Sequence, residues 1–148
     1  MAIIQRDIHL QVPAELVFRY LDDPAHFTAF SPNISEISDI RRHPPENTKF
    51  SWVYKMMDTR LLCEAEVIEA KPFQRLKIGF HGGMHGSMEW QLQPLKEGTH
   101  LQIRLDYTTP APLLKKHTES EILQHTGHDV ERMLQNLKSV LEASFQTV

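Results

Sequence analysis

The sequence predicts an α+β protein. A curved antiparallel sheet of about seven strands wraps around one long C-terminal helix, and two short helices follow strand 1. Three observations carry this. Between positions 34 and 107 most apolar residues alternate with polar ones, the two-residue period of strands buried on one face. Residues 119–145 instead repeat apolar side chains every three or four positions, the period of a helix with one buried stripe. The chain breakers are also unevenly placed. All nine prolines lie between positions 13 and 112 and five of the six glycines between 79 and 98, so that after Pro112 only Gly127 interrupts helix-forming residues.

Taken in order, Ile4, Ile8, Leu10 and Val12 predict a strand over 3–12, with Arg6 the exception to its alternation. Pro13 suits the first turn of a helix. Leu16, Val17, Tyr20 and Leu21 make one face of a helix over 14–21, which Asp22-Asp23-Pro24 ends. Residues 25–30 read as a second short helix stopped by Ser31-Pro32-Asn33. Ile34, Ile37 and Ile40 alternate imperfectly, which predicts a strand over 34–43 with a bulge. His43-Pro44-Pro45-Glu46-Asn47 is a turn.

Phe50, Trp52, Tyr54 and Met56 then give a strand with an aromatic face, and Asp58-Thr59 turns the chain. Cys63, Ala65 and Val67 oppose Glu64, Glu66 and Ile68 over 60–70, and Lys71-Pro72 marks a hairpin. Leu76, Ile78 and Phe80 form the next strand. The loop His81-Gly82-Gly83 leads to Met84, Met88, Trp90 and Leu92, and Glu97-Gly98 to Leu101, Ile103, Leu105 and Tyr107. Short turns between successive strands imply an antiparallel meander. Thr108 to Pro112 is the exit. The final helix carries Ile122, Thr126, Val130, Met133, Leu134, Leu137, Val140, Leu141 and Phe145. A ten-residue strand spans about 34 Å and a 26-residue helix about 39 Å, so the helix can cover the whole sheet. One helix over a curved sheet leaves room for a cavity between them.

Composition narrows the function. A chain of 148 residues suits a single domain over 1–148. The net charge is −3 and no basic cluster exceeds two residues (Arg41-Arg42, Lys115-Lys116), which argues against nucleic acid as a partner. No apolar run approaches the ~18 residues of a membrane span, so stable membrane insertion is not expected. The N-terminus lacks the pattern of a signal peptide. The single cysteine, Cys63, excludes an internal disulfide and a multi-cysteine zinc site, and suits the reducing cytoplasm.

Several segments recur in a known arrangement. They are Val12-Pro13-Ala14-Glu15-Leu16-Val17-Phe18 followed by Tyr20-Leu21-Asp22-Asp23-Pro24, then Phe30-Ser31-Pro32-Asn33-Ile34, then Glu69-Ala70-Lys71-Pro72-Phe73-Gln74-Arg75-Leu76, and finally Asn136-Leu137-Lys138-Ser139-Val140-Leu141-Glu142. In this order and spacing the chain resembles the START-like, or SRPBCC, superfamily with its helix-grip fold, in the polyketide cyclase/dehydrase and lipid-transport subset. It departs from many members at the Phe30 segment, where they place a Trp before the Pro. The resemblance implies a ligand-binding module with a deep apolar cavity. Members handle sterols, quinones, phospholipids, plant hormones or polyketides, so the fold does not choose the ligand.

The residues expected to line that cavity are Trp52, Tyr54, Met56, Cys63, Met84, Met88, Trp90 and Tyr107 from the strands, Thr126, Val130 and Met133 from the long helix, and Phe27 and Phe30 exposed at the mouth. The Gly-rich loop from His81 to Gly86 frames the mouth from the other side. Methionine repacks easily around different ligands, and Trp and Tyr offer polar tips. Cys63 should point inward as a small apolar residue. Glu64, Glu66, Glu69 and Glu89 read as a solvated face. His81 with His85, and His125 with His128 and His117, have the residue types of metal ligands without a recognisable ligand spacing, and no metal is assigned.

The expected function is binding or transport of a small hydrophobic molecule, with no catalytic residue and no cofactor. One alternative is an aromatase/cyclase-type enzyme in which Tyr54 or Tyr107 orients carbonyls and His26 serves as base. Another is a protein-interaction module similar to the ribosome-associated toxin or coenzyme Q-chaperone branch. Gly127, in mid-helix, allows either a close approach of the sheet or space for a ligand.

Overall fold

The structure is a computed structural model and describes residues 2–42 and 47–146. Its seven strands form one antiparallel sheet in the order β1-β7-β6-β5-β4-β3-β2. They are β1 (Ala2–Leu10), β2 (Ile34–Arg41), β3 (Lys49–Met56), β4 (Thr59–Lys71), β5 (Arg75–Gly82), β6 (His85–Leu95) and β7 (Gly98–Thr108). From β2 to β7 the sheet is a meander of hairpins. β1 returns to close the far side, with Ala2 opposite Tyr107 and Leu10 opposite Thr99. The expected α+β helix-grip architecture is the one observed.

The alternation expected in each strand follows from burial on one face. β7 has every second side chain buried from Thr99 to Tyr107, and Leu101, Ile103 and Tyr107 are wholly enclosed. β2 is less regular because its pairing to β3 shifts register twice, between Ile34 and Glu36 and between Ser38 and Arg41, with Asp39 at φ 52°. In β4 the alternation leaves Ile68 outward, and a further shift between Val67 and Glu69 then brings Ala70 inside in place of Glu69. β1 ends at Leu10, so Val12 is buried from beyond the strand. Of the turn expected at 43–47, only Asn47 lies within the described residues.

The first helix, α1 (Ala14–Leu21), buries Ala14, Val17, Phe18 and Leu21 over the ends of β5, β6 and β7. The second short helix is split. A 3-10 turn at Pro24–His26, capped by Asp23 Oδ1 accepting from Ala25 N at 3.1 Å, precedes α2 (Phe27–Phe30). An unforeseen single-turn helix, α3 (Ala111–Leu114), occupies the exit and buries Leu113. Proline is tolerated in a helix's first turn, so Pro112 starts this turn where it looks like a breaker.

The long helix is α4 (Glu119–Gln146). It opens on a capping box: Glu121 N donates to Thr118 Oγ1 at 3.1 Å and Thr118 N donates to Glu121 Oε1 at 3.2 Å. Its far half is tied down by Asn136 Nδ2 donating to Phe30 O at 3.1 Å, Lys138 Nζ to His9 O at 3.0 Å, and Gln11 N to Glu142 Oε2 at 2.8 Å. α4 is thus held at its start by Thr109 Oγ1, just after β7, donating to Glu119 Oε1 at 3.0 Å, and packs along β1 and α2. Among the described residues no helix is long and apolar enough to cross a membrane.

Candidate functional site

The residues expected to line a cavity lie together in the buried core on the inner face of the sheet. Trp52, Tyr54, Met56, Cys63, Met88, Trp90 and Tyr107 all point inward from the strands, Met84 joins them from the turn before β6, and Thr126, Val130 and Met133 close over them from α4; every one is buried. Strand register brings Trp52 opposite Cys63, and Trp90 between Leu76 and Ile103.

One expectation is corrected. Phe27 and Phe30 are not exposed at a mouth, since each is only 1% exposed. α2 lies between α4 and the sheet, so its rings turn into the interior. Phe27 stands 5.7 Å from Phe30 and 6.2 Å from Trp52, and Phe30 stands 6.3 Å from Trp90. The glycine loop, the other expected frame, is pinned to β4. Gly83 N donates to Leu62 O at 2.7 Å, and at Gly82 (φ 110°) a Cβ would come within 2.8 Å of that same oxygen.

The interior is richer in polar atoms than an apolar core requires. Burial pushes the Tyr54 phenol up, and nearby Asp129, Tyr107 and Cys63 push it further. Burial also raises Tyr107, which lies beside Thr126, and Cys63. Thr126 Oγ1 donates to Ile122 O at 2.8 Å, and Cys63 Sγ lies 3.9 Å from both Leu61 O and Met84 O. Two buried indole nitrogens on this face, Trp52 Nε1 and Trp90 Nε1, complete no conventional hydrogen bond, whereas the Tyr107 hydroxyl has the oxygen of Thr126 beside it as an acceptor. Trp52 Nε1 has only the Cys63 sulfur, a weak acceptor, nearby. Asp106 Oδ1, among charged side chains on the opposite face, and His117 Nε2, before α4, are also without partners.

Sequence reasoning missed the polar edge of this site. Asp129 is 7% exposed; its Oδ2 accepts from Asn33 Nδ2 at 2.9 Å and lies 3.2 Å from His125 Nδ1. Asn33 Nδ2 also donates to Lys55 O at 2.8 Å, so one side chain joins the α2–β2 turn, β3 and α4. The signal was in the spacing: Asp129 is three residues after Thr126 and four before Met133, on the apolar stripe.

The remaining candidates disperse. Glu64 accepts from Ser51 Oγ at 3.0 Å on the outer face, and Glu69 and Glu89 pair with Arg75 there. His81 and His85 stand 6.4 Å apart, centroid to centroid, and among the described residues no group of three His, Cys, Asp or Glu is placed to hold a metal. His26 stacks on Tyr20 at 4.2 Å and donates from Nδ1 to Tyr20 O at 2.8 Å. It lines an outer apolar groove of about 490 Å³ with Val12, Leu16, Leu141 and Phe145. Leu141 is about 22 Å along α4 from Thr126, which flanks Tyr107. His26 is therefore not brought to Tyr54 or Tyr107.

Gly127 makes room for a side chain of the sheet. A Cβ there would lie 2.8 Å from Arg6 Nη2, and Arg6 Nε pairs with Glu131 Oε1 at 3.2 Å. This explains why Arg6 interrupts the alternation of β1. Removing a mid-helix glycine gains up to ~1 kcal/mol, whereas an exposed ion pair contributes a few tenths. Gly127→Ala is thus expected to raise the melting temperature by roughly 1–3 °C, and by more in an Arg6→Ala background. A fall in both backgrounds would mean that α4 itself cannot accept the methyl.

Cys63 gives a second check. A buried thiol with a raised pKa has little thiolate and no access to reagent. The native protein is expected to leave Cys63 unmodified by a thiol reagent at pH 8 and to react fully once unfolded. Rapid native labelling would show that the interior opens.

The fold recurs widely. A protein of Thermus thermophilus superposes with TM-score 0.80 at 19% identity over 96% of this chain and 98% of its own. A START superfamily protein from Mycobacterium smegmatis does so with TM-score 0.80 at 13% identity, covering 97% and 99%. The Zhui aromatase/cyclase from Streptomyces sp. R1128 gives TM-score 0.72 at 16% identity, covering 96% and 92%. At these identities the likeness is one of fold. Sequence comparison with curated proteins finds no match. The family model for polyketide cyclase/dehydrase and lipid transport matches residues 1–142. That match places the chain in the polyketide cyclase/dehydrase and lipid-transport family.

Proposed function

We propose that residues 1–148 act as one unit that binds or carries a small hydrophobic molecule between the concave face and α4, leaving it chemically unchanged. The observation that supports this reading is Trp90 Nε1, wholly buried with no hydrogen bond, beside Trp52 Nε1, which has only the Cys63 sulfur, deep in an otherwise apolar interior. Buried polar groups are nearly always partnered, and a plain core would use leucine or phenylalanine at these positions. Met56, Met84, Met88 and Met133 lie among them, and methionine repacks readily to admit a guest. The titratable groups facing this interior argue for binding over catalysis. Burial holds Tyr54, Cys63 and Tyr107 in their neutral forms near pH 7. The lone buried thiol fits a reducing cytoplasm.

Native mass spectrometry of gently purified, untagged protein tests this. The expected result is a species heavier than the bare chain that loses its excess mass on extraction with organic solvent. A bare mass throughout, with no uptake of added apolar probes, would overturn the reading. Turnover of a poly-β-keto substrate, lost on changing Tyr54 or Tyr107 to Phe, would replace it with the cyclase alternative.

A further inference from the structure

The groove on the outside of α1 is separate from the interior. Val12, Leu16 and Tyr20 line one side of it, and Leu141 and Phe145, from the last turns of α4, the other; it measures about 490 Å³. A second hollow of about 450 Å³ adjoins it, bounded by Pro13 and the turn between β6 and β7, and Val12 and Phe145 belong to both. Phe145 is therefore a ridge between two hollows. It is 42% exposed, and Leu16 is 41% exposed. Single exposed apolar side chains are normal, whereas a contiguous apolar patch marks a contact surface.

Two features indicate what covers it. The two basic groups of the lining are engaged within the chain. Arg19 pairs with Glu15 at 2.6 Å, and His26 Nδ1 is bonded to Tyr20 O at 2.8 Å. Neither is left to fix a small anionic ligand, and small-molecule sites rely on a few well-placed polar groups. The rim also changes sign over short distances. Glu15 stands with Arg19, Lys138 with Glu142 at 2.7 Å, and Lys96 next to Glu97. No block of one charge is present to steer an acidic or a basic partner. A copy of the same surface, turned by a two-fold axis, meets both requirements. It brings a ridge to each hollow and a cation to each carboxylate, because such a contact uses one self-complementary patch twice.

We infer that this face is the contact between two copies of the chain, each laying Leu16 and Phe145 into the groove of the other. On α1, Leu16 and Tyr20 are one turn apart and face the groove, while Glu15 and Arg19, also one turn apart, stand on its rim. A two-fold axis crossing α1 at right angles makes the two helices antiparallel and sets Arg19 against the partner's Glu15, twice. Both side chains are more than half exposed, so exchanging the pair within a helix for pairs between helices costs little. The contact is small, and its expected dissociation constant is micromolar.

Sedimentation equilibrium of the full chain tests this. At about 200 μM the expected mass is twice the 17.2 kDa of one chain, and it should fall toward a single chain at about 1 μM. Leu16→Glu and Phe145→Glu should each weaken association at least tenfold. Both positions are more than a third exposed, so these variants should fold, which circular dichroism checks. Arg19→Glu and Glu15→Arg lie on the rim and should each weaken self-association threefold or more. An equimolar mixture of those two should associate at least as tightly as the parent, because both contacts between the helices then join opposite charges.

A single-chain mass at about 200 μM would overturn the inference. If naphthalene then raised the melting temperature, and Phe145→Glu removed that rise, the groove would belong to small apolar ligands instead. Association unchanged in both Leu16→Glu and Phe145→Glu would place the contact on another face. No gain on mixing the two charge variants would overturn the antiparallel arrangement of α1. All of these outcomes leave the binding reading of the interior as it stands.

Discussion

Trp90→Ala is expected to destabilise the protein by about 3–5 kcal/mol, the range for deleting a fully enclosed large aromatic side chain. Trp90 is 0% exposed, is flanked by Leu76 and Ile103 across the sheet, and meets Phe30 of α2 at 6.3 Å. Its removal empties the point where the sheet, α2 and α4 converge, and the fixed strand spacing prevents collapse onto the gap. The melting temperature should fall by on the order of 10 °C. Trp90→Phe should lose much less, because it keeps most of the volume and sacrifices only an unpartnered N–H. Urea denaturation of both variants is the measurement. A loss below ~1 kcal/mol for the alanine variant would mean that the ring is loosely held.

Asn33→Ala is expected to cost about 2–3 kcal/mol, the scale of a hydrogen bond to a charged group together with the desolvation of a partner left behind. Asn33 is the only described residue whose side chain joins the α2–β2 turn to both β3 and α4, through Lys55 O at 2.8 Å and Asp129 Oδ2 at 2.9 Å. Without it Asp129 retains His125 alone, and a buried carboxylate short of donors is a strained arrangement. The double variant Asn33→Ala, Asp129→Ala isolates the pair term. A coupling of about 1 kcal/mol or more is expected for groups in direct contact. Additive losses would mean that the two side chains act independently.

How much of this was legible depended on whether the cause was local. Trp52, Tyr54, Met56, Met88, Trp90 and Tyr107 were placed inward from parity alone, because a strand with one buried face leaves a two-residue record. β2 was blurred because two bulges break that record, and α3 was hidden because its prolines, harmless in a first turn, look like breakers. The rings of Phe27 and Phe30 were misplaced because their direction depends on where α4 lies over α2, which no local pattern encodes. Asp129 obeyed the helical spacing, but its charge argued for solvent. Its partner Asn33 is 96 residues away, a distance over which one sequence carries no signal. The unsatisfied donors belong to the same class. That Trp90 faces inward is a local fact, whereas its lack of an acceptor depends on every neighbour at once.

The pairing of β1 with β7 sets a schedule. Every other strand pair closes a hairpin of neighbouring segments, whereas Ala2 must wait for Tyr107. Closing a loop of about 100 residues costs about 2 kcal/mol more in chain entropy than closing one of about 10. A chain made from its N-terminus therefore holds β1 idle until β7, about 100 residues further on, has been made, with the β7 edge bare once it forms. Pulsed hydrogen exchange during refolding should find the amides shared by β1 and β7 protected after those within β3 to β6, and simultaneous protection would refute this order. Such a molecule is most open to mispairing with another copy of itself while β7 has formed and β1 has not yet docked on its edge.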